Sequence, residues 1–236
     1  MTTTLPLLAL PGLLCDERVW KAQAEALAAR HRFTSLALTT HDSMAGLAEA
    51  ALARAPAGRF ALAGFSMGGY VALEIMRRAP ERVAALALID SHARPDSAES
   101  SAARRSAMAQ AGHDFAGVIA ALIPRLVHPS RLGDAALIAT IEAMAHAVGP
   151  AGFVRQQQAI IGRADSRPTL AQIRCPTLVV CGRDDALMPF ELHQESADGI
   201  PGARLVVLDA CGHMAPMERP ALVTDAMRDW LDGAGA

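Results

Sequence analysis

The hexapeptide Gly64-Phe65-Ser66-Met67-Gly68-Gly69 constrains this chain more than any other stretch. A continuous apolar run, Phe60-Ala61-Leu62-Ala63, leads into it, and Tyr70-Val71-Ala72-Leu73-Glu74-Ile75-Met76 leads away as a helix. Gly-x-Ser-x-Gly between a strand and a helix is the nucleophile-elbow pattern, a turn so sharp that its serine is strained and its hydroxyl exposed. Side chains two positions before and two after the serine would crowd such a turn. Gly64 and Gly68 fit that demand, and Gly69 lets the new helix pack close to the sheet. The pentapeptide by itself also describes an ordinary βα loop with a helix-capping serine. The flanking elements and the partners downstream favour the catalytic reading.

Further apolar runs mark the other strands: Leu5 to Leu10, Phe33 to Leu38, Val83 to Ile89, Thr177 to Cys181 and Arg204 to Leu208. Helical spacing separates the early ones. Trp20, Ala24, Leu27 and Ala28 share one face, and Met44, Leu47, Ala48, Ala51 and Leu52 share another, with Asp42 or Ser43 as the cap. Strand and helix in alternation predict parallel strands joined by crossovers, and runs apolar at every position predict burial on both faces. The fold class is therefore α/β, a doubly wound, mostly parallel sheet of about six strands whose ligands bind at the carboxyl ends. Ser66, Asp90 and the Pro11-Gly12 loop all fall at that edge.

After Asp90 the rhythm breaks. Residues 92–167 contain no strand, only a polar, Ala-rich stretch from Ser97 to Gly112 and apolar residues at helical spacing from Phe115 to Pro124 and from Leu137 to Val148. Phe153, Ile160 and Ile161 repeat the pattern more weakly. The expected organisation is a core built from 1–91 and 168–236, with 92–167 a helical insertion placed to cap the strand ends. The alternation then resumes. Pro189 is expected to open a helix, and a final helix from about Pro220 buries Val223, Ala226, Met227, Trp230 and Leu231.

Chemistry can be assigned along the same edge. A serine hydroxyl needs an adjacent base. His213 follows the last strand behind a glycine, while His92, which also follows a strand, is its rival. The imidazole needs an orienting carboxylate. Asp184, Asp185 and Asp90 all lie after strands, and the order Ser, Asp, His emerges whichever loop aspartate serves. The two N–H donors for a tetrahedral intermediate are expected from the backbones of Met67 and Leu13.

Composition excludes several classes. The net charge of the 236-residue chain is −2, Lys21 is its only lysine, and no basic stripe suggests nucleic acid. No run of about 18 apolar residues is apparent, so no membrane partner is expected. The N-terminal Met-Thr-Thr-Thr-Leu-Pro has no basic region of a secretory signal, which makes the cytoplasm the expected location. Cys15, Cys175, Cys181 and Cys211 are scattered, with no zinc spacing, and are expected to be reduced. Nothing in the sequence bears on oligomeric state.

Taken together, Leu-Pro-Gly-Leu-Leu-Cys-Asp before a helix with Trp20, the elbow Gly-Phe-Ser-Met-Gly-Gly, Gly-Arg-Asp-Asp and Cys-Gly-His-Met resemble the α/β-hydrolases, close to the small single-domain esterases and lactonases with a helical cap. The likeness covers nearly the whole chain. It implies that the acid is the aspartate of Gly-x-x-Asp, which is Asp185 and not Asp184. The family often has His-Gly where this chain has Pro11-Gly12, and its usual first two strands are missing here. Dehalogenase-like members use Asp at the elbow, where this chain has Ser66. The lyase branch that makes menaquinone precursors usually has Arg after the elbow glycines, where this chain has Tyr70. The resemblance implies a serine hydrolase acting on a small-molecule acyl substrate (an ester, thioester or lactone) with no metal or organic cofactor. An acyltransferase or a cofactor-free perhydrolase would use the same triad, and a non-catalytic binding protein would need none of it. Few aromatics in the insertion, Phe115 and Phe153, suit a small or aliphatic acyl group. Arg104, Arg105, Arg125, Arg131, Arg155 and Arg163 are available for a substrate carboxylate or as surface charges.

Overall fold

The computed structural model describes residues 5–234, so Met-Thr-Thr-Thr and the end of the Gly/Ala tail lie outside the described residues. Six strands, β1 (Leu7–Leu10), β2 (Phe33–Ser35), β3 (Phe60–Phe65), β4 (Val83–Ile89), β5 (Thr177–Gly182) and β6 (Arg204–Leu208), form one sheet in the order β2-β1-β3-β4-β5-β6. Every neighbouring pair is parallel. β3 and β5 are buried at every position, whereas the edge strands β2 and β6 are largely half-buried. That difference explains the apolar runs, because a central strand presents both of its faces to helices.

The pleat divides the core in two. Ala61, Ala63 and Phe65 face a cluster with α1 (Lys21–Leu27) and α10 (Pro220–Ala234), while Phe60 and Leu62 face one with α2 (Met44–Arg54) and α3 (Met67–Arg78). Each fully buried Leu or Phe here contributes about 1.5–3 kcal/mol relative to exposure. Ser43, rather than Asp42, caps α2 by accepting the Gly46 N–H. All five residues expected on the buried face of α10 are buried.

Between β4 and β5 lie α4 (Ala98–Ala111), α5 (Phe115–Leu126), α6 (Ala135–Ile161) and the short α7 (Arg167–Leu170). The stretch read only as polar and Ala-rich is the helix α4. It buries just Ser101 and Ala111, too little to leave an apolar stripe. α5 runs two residues past Pro124, which sits in its last turn. α6 joins two segments across a kink at Gly149, where φ is +70 and Pro150 follows. By length and composition α6 would suffice to cross a membrane, contrary to the expectation that no such stretch exists. The kink divides it, and both halves bury residues: Leu137, Ile141 and Met144 before it, Phe153, Gln156 and Ile160 after it. Val118, Ile119, Ile141 and Phe153 join the same cluster as Leu7 and Ala61, so the insertion and the sheet share one core.

Other boundaries shift for local reasons. The first strand begins at Leu7, not Leu5. β2 stops at Ser35, although Leu36 still donates its N–H to the Ala9 carbonyl, because Leu36 and Leu38 turn inward to join the α2–α3 cluster. Pro189 is the N-cap of α8 (Phe190–Gly199) rather than its first residue.

Candidate active site

Ser66 sits between β3 and α3 with φ 51 and ψ −117, in a region that costs a non-glycine residue about 1–3 kcal/mol. The turn is over-determined. The Ser66 N–H donates to the Ile89 carbonyl at 2.9 Å, and the Ser91 hydroxyl donates to the Ser66 carbonyl at 2.9 Å. A Cβ on Gly64 would overlap the Gly68 carbonyl, one on Gly68 the Leu10 carbonyl, and one on Gly69 the Ser91 hydroxyl. Crowding by backbone and by a buried hydroxyl thus fixes glycine at all three positions.

The loop after β6 brings His213 onto this serine. Its Nε2 lies 2.9 Å from Ser66 Oγ and its Nδ1 2.7 Å from Asp185 Oδ2. Asp185 Oδ1 accepts the N–H groups of Leu187 at 2.8 Å and Met188 at 2.9 Å. A carboxylate only accepts, so Nδ1 carries the imidazole proton and the Nε2 lone pair faces the serine hydroxyl. All three residues are buried, with Ser66 only 7% exposed. Burial pushes the Asp185 carboxyl up, but the His213 charge, the His213 hydrogen bond and the two loop N–H groups together hold it below its ordinary value.

The other candidates lie nearby but are engaged elsewhere. Asp184 donates its N–H to the Cys211 carbonyl, and its half-exposed side chain lies 3.7 Å from His128 Nε2. Asp90 accepts from the Gly182 N–H at 2.9 Å and the Ala215 N–H at 3.2 Å, bracing the end of β5 against α9 (Ala215–Glu218). Burial raises its carboxyl well above the ordinary value, and the Asp185 charge adds to this. His92 meets the Tyr70 hydroxyl at 3.1 Å and accepts the Arg94 N–H on Nδ1. Burial, with Arg163 next in effect, lowers it to about 3, so it is a neutral core histidine. Of the six arginines, Arg104 and Arg163 bond Asp96, Arg131 bonds Asp134 and the Glu218 carbonyl, Arg155 bonds the Thr39 carbonyl, and Arg105 and Arg125 are exposed.

Asp90, Asp185 and His193 are the one group of metal-ligating side chains close enough to share an ion among the described residues. Their ligand atoms are already turned to backbone groups or to His213. Both ring nitrogens of His193 lie 3.0 Å from backbone carbonyls, those of Ser91 and Met188, and the carboxylates accept the hydrogen bonds described above. The trio reads as a buried polar cluster supporting the triad.

The loop after β1 abuts the elbow: a Cβ on Gly12 would lie 2.8 Å from the Phe65 ring and 3.1 Å from Ser66 Cβ. Among the described residues neither the Leu13 nor the Met67 N–H has an acceptor, while Leu14 donates to Gln156 Oε1 and Cys15 to the Gly12 carbonyl. Cys15 and Cys211 are free and buried, and burial pushes the Cys15 thiol up to about 12 and the Cys211 thiol higher still.

One supporting residue escapes the sequence reading. Glu218 is buried, and its carboxylate accepts the N–H groups of Gly212, Met214 and His128 at 3.0, 3.2 and 2.7 Å. It therefore grips the backbone on both sides of His213 and ties it to the chain after α5. The only sequence signal is an acidic residue five positions after the histidine and just before Arg219-Pro220.

This arrangement has known relatives. Residues 7–226 match the profile of the alpha/beta hydrolase family. A pimeloyl-[acyl-carrier protein] methyl ester esterase from Aromatoleum aromaticum is 30% identical over 250 residues, covering 94% of this chain and 98% of that protein. A putative carbamate hydrolase from Pseudomonas savastanoi pv. phaseolicola is 31% identical over 175 residues, covering 72% of this chain and 66% of that protein. The solved structure of a thermophilic esterase from Thermogutta terrifontis is similar with a TM-score of 0.91 and 33% identity, covering 99% of this chain and 92% of its own. By sequence and by fold, this chain belongs to the alpha/beta hydrolase family and is a hydrolase.

Proposed function

We propose that the protein cleaves a small carboxylic ester, thioester or lactone through an acyl-enzyme on Ser66. The observation that carries this reading is the position of His213, with one ring nitrogen 2.9 Å from Ser66 Oγ and the other 2.7 Å from Asp185 Oδ2. Ser66 Oγ attacks the substrate carbonyl as His213 Nε2 takes its proton. Asp185 stabilises the imidazolium. The tetrahedral oxyanion lies against the Leu13 and Met67 N–H groups, and such donors each typically supply about a hundred- to a thousandfold in rate. His213 then protonates the leaving alcohol, thiol or lactone oxygen as the carbon–oxygen or carbon–sulfur bond breaks. Water repeats the sequence on the acyl-enzyme and returns Ser66 to its starting state. The helical insertion acts as the cap over this site. Two relatives named as esterases support the choice of an acyl substrate.

The test is labelling of the wild type and Ser66→Ala with a fluorophosphonate, read by intact mass, followed by an ester, thioester and lactone panel. One adduct on the wild type, none on the variant, and a fall in turnover of about a hundred-thousandfold are expected. Comparable turnover in folded Ser66→Ala overturns the assignment. Adding an alcohol or thiol to the same assay measures how the acyl group divides between water and another acceptor, which is where an acyltransferase would differ.

A further inference from the structure

The loop that offers the Leu13 N–H does not hold itself in place. Leu14, the next residue, has φ +59, left-handed backbone that a branched side chain rarely adopts. Its N–H donates to Gln156 Oε1 at 3.0 Å, across 142 positions of chain. Gln156 lies on α6 after the kink and is completely buried. Its amide nitrogen donates in turn to the Leu38 carbonyl at 3.1 Å, which fixes which end of the side chain faces Leu14. Before the kink, the Ala143 carbonyl accepts from Arg18, whose guanidinium also holds Asp16 in the same loop. Both halves of α6 therefore grip the segment that follows β1.

We propose that Gln156 is a positioning residue for the oxyanion loop, so that the insertion is part of the catalytic apparatus and not only a cover. The inference rests on the reading of the Leu13 N–H as an oxyanion donor. The peptide plane between Leu13 and Leu14 is set by the backbone angles on either side of it. Holding the Leu14 N–H on Gln156 limits rotation of that plane and, through Leu13, the direction of its own N–H. An oxyanion donor works only when aimed in advance at the position where charge develops. Without Gln156, Leu14 loses its buried acceptor and is free to leave the left-handed region, and the Leu13 N–H swings with it. The effect falls on the transition state, where the oxygen is charged, and not on ground-state binding.

The test compares p-nitrophenyl acetate with its thiono counterpart, whose sulfur is a poor acceptor for these N–H groups. Wild type, Gln156→Met, Gln156→Asn, Gln156→Glu and Arg155→Met are assayed as full-length protein, with folding checked by circular dichroism. In Gln156→Met the kcat on the oxo ester is expected to fall about ten- to a hundredfold with KM within about twofold, while the thiono rate barely moves, so the oxo-to-thiono ratio falls. Gln156→Asn keeps a polar amide in the same pocket but is one methylene too short, and it shows the same fall in ratio even if the methionine variant does not fold. Gln156→Glu keeps an acceptor oxygen for Leu14 and recovers part of the loss. Arg155→Met severs the neighbouring tether to the Thr39 carbonyl without touching the loop and keeps the wild-type ratio. A folded Gln156 variant with an unchanged ratio overturns the inference alone. A wild type that does not prefer the oxo ester overturns the oxyanion reading and the inference with it.

Discussion

Two buried aspartates stand at the ends of neighbouring strands, and their surroundings give them opposite characters. Asp90 ends β4 with both carboxylate oxygens spent on backbone N–H groups, those of Gly182 and Ala215. Asp185, in the loop after β5, commits one oxygen to its own loop and aims the other at His213. Burial opposes ionisation of both. At Asp185 the neighbouring His213 ring and the loop N–H groups reverse that penalty, and at Asp90 the charge of Asp185 adds to it. Their contributions to stability consequently carry opposite signs with pH. That of Asp185 is present above its unfolded value, near 3.8, and is lost as pH falls through its lowered folded value. That of Asp90 is present below 3.8 and is lost as pH rises through its raised folded value. Proximity to the histidine does not let a carboxylate orient its ring; a free oxygen aimed at the ring does.

The largest effect that would break this contrast is on turnover. Asp185→Asn places an amide N–H against His213 Nδ1, forces the proton onto Nε2 and removes the base, so kcat is expected to fall about 10⁴-fold in steady-state assays. Near-normal turnover would reduce Asp185 to a loop-shaping residue. Asp90→Asn turns an NH₂ group toward one of its two N–H partners. It is expected to cost about 1–3 kcal/mol in urea unfolding while kcat stays within about tenfold. A loss as large as that of Asp185→Asn would erase the distinction. The acid limb of the stability curve can then be sharpened. His92, held neutral with a pKa of about 3 against an ordinary 6.5, contributes stability that is full above pH 6.5 and is lost as pH falls toward 3. His92→Gln should flatten that stretch of the unfolding profile and leave the loss through Asp185 visible beneath it. The smallest change expected is that of Asp184→Asn, whose side chain is half-exposed: kcat within about twofold and stability within about 0.5 kcal/mol.

The elbow was legible because steric demand confines it to few residue types, and the structure gives each of its glycines a specific backbone or hydroxyl neighbour. The central strands were legible because burial on both faces leaves nothing polar to confuse the pattern. Choosing Asp185 over Asp184 needed the resemblance. Two adjacent aspartates in one loop are equivalent in sequence, and they separate only when the turn at Leu187 and Met188 orients one of them. α4 escaped notice because it packs with small and polar residues, Ser101 and Ala111. Gln156 and Glu218 escaped for a different reason. Each acts through backbone groups far away along the chain, and a single buried amide or carboxylate leaves no periodicity to read.

Ser66 and His213 lie 147 positions apart, and the sheet is complete at Leu208, before the histidine is reached. The order of synthesis therefore matters. A chain ending at Leu208 carries the residues of all six strands and Ser66 but neither His213 nor Glu218. Glu218 and Asp90 brace the histidine loop from both sides. On the proposed reading, turnover is expected only from a chain that includes His213.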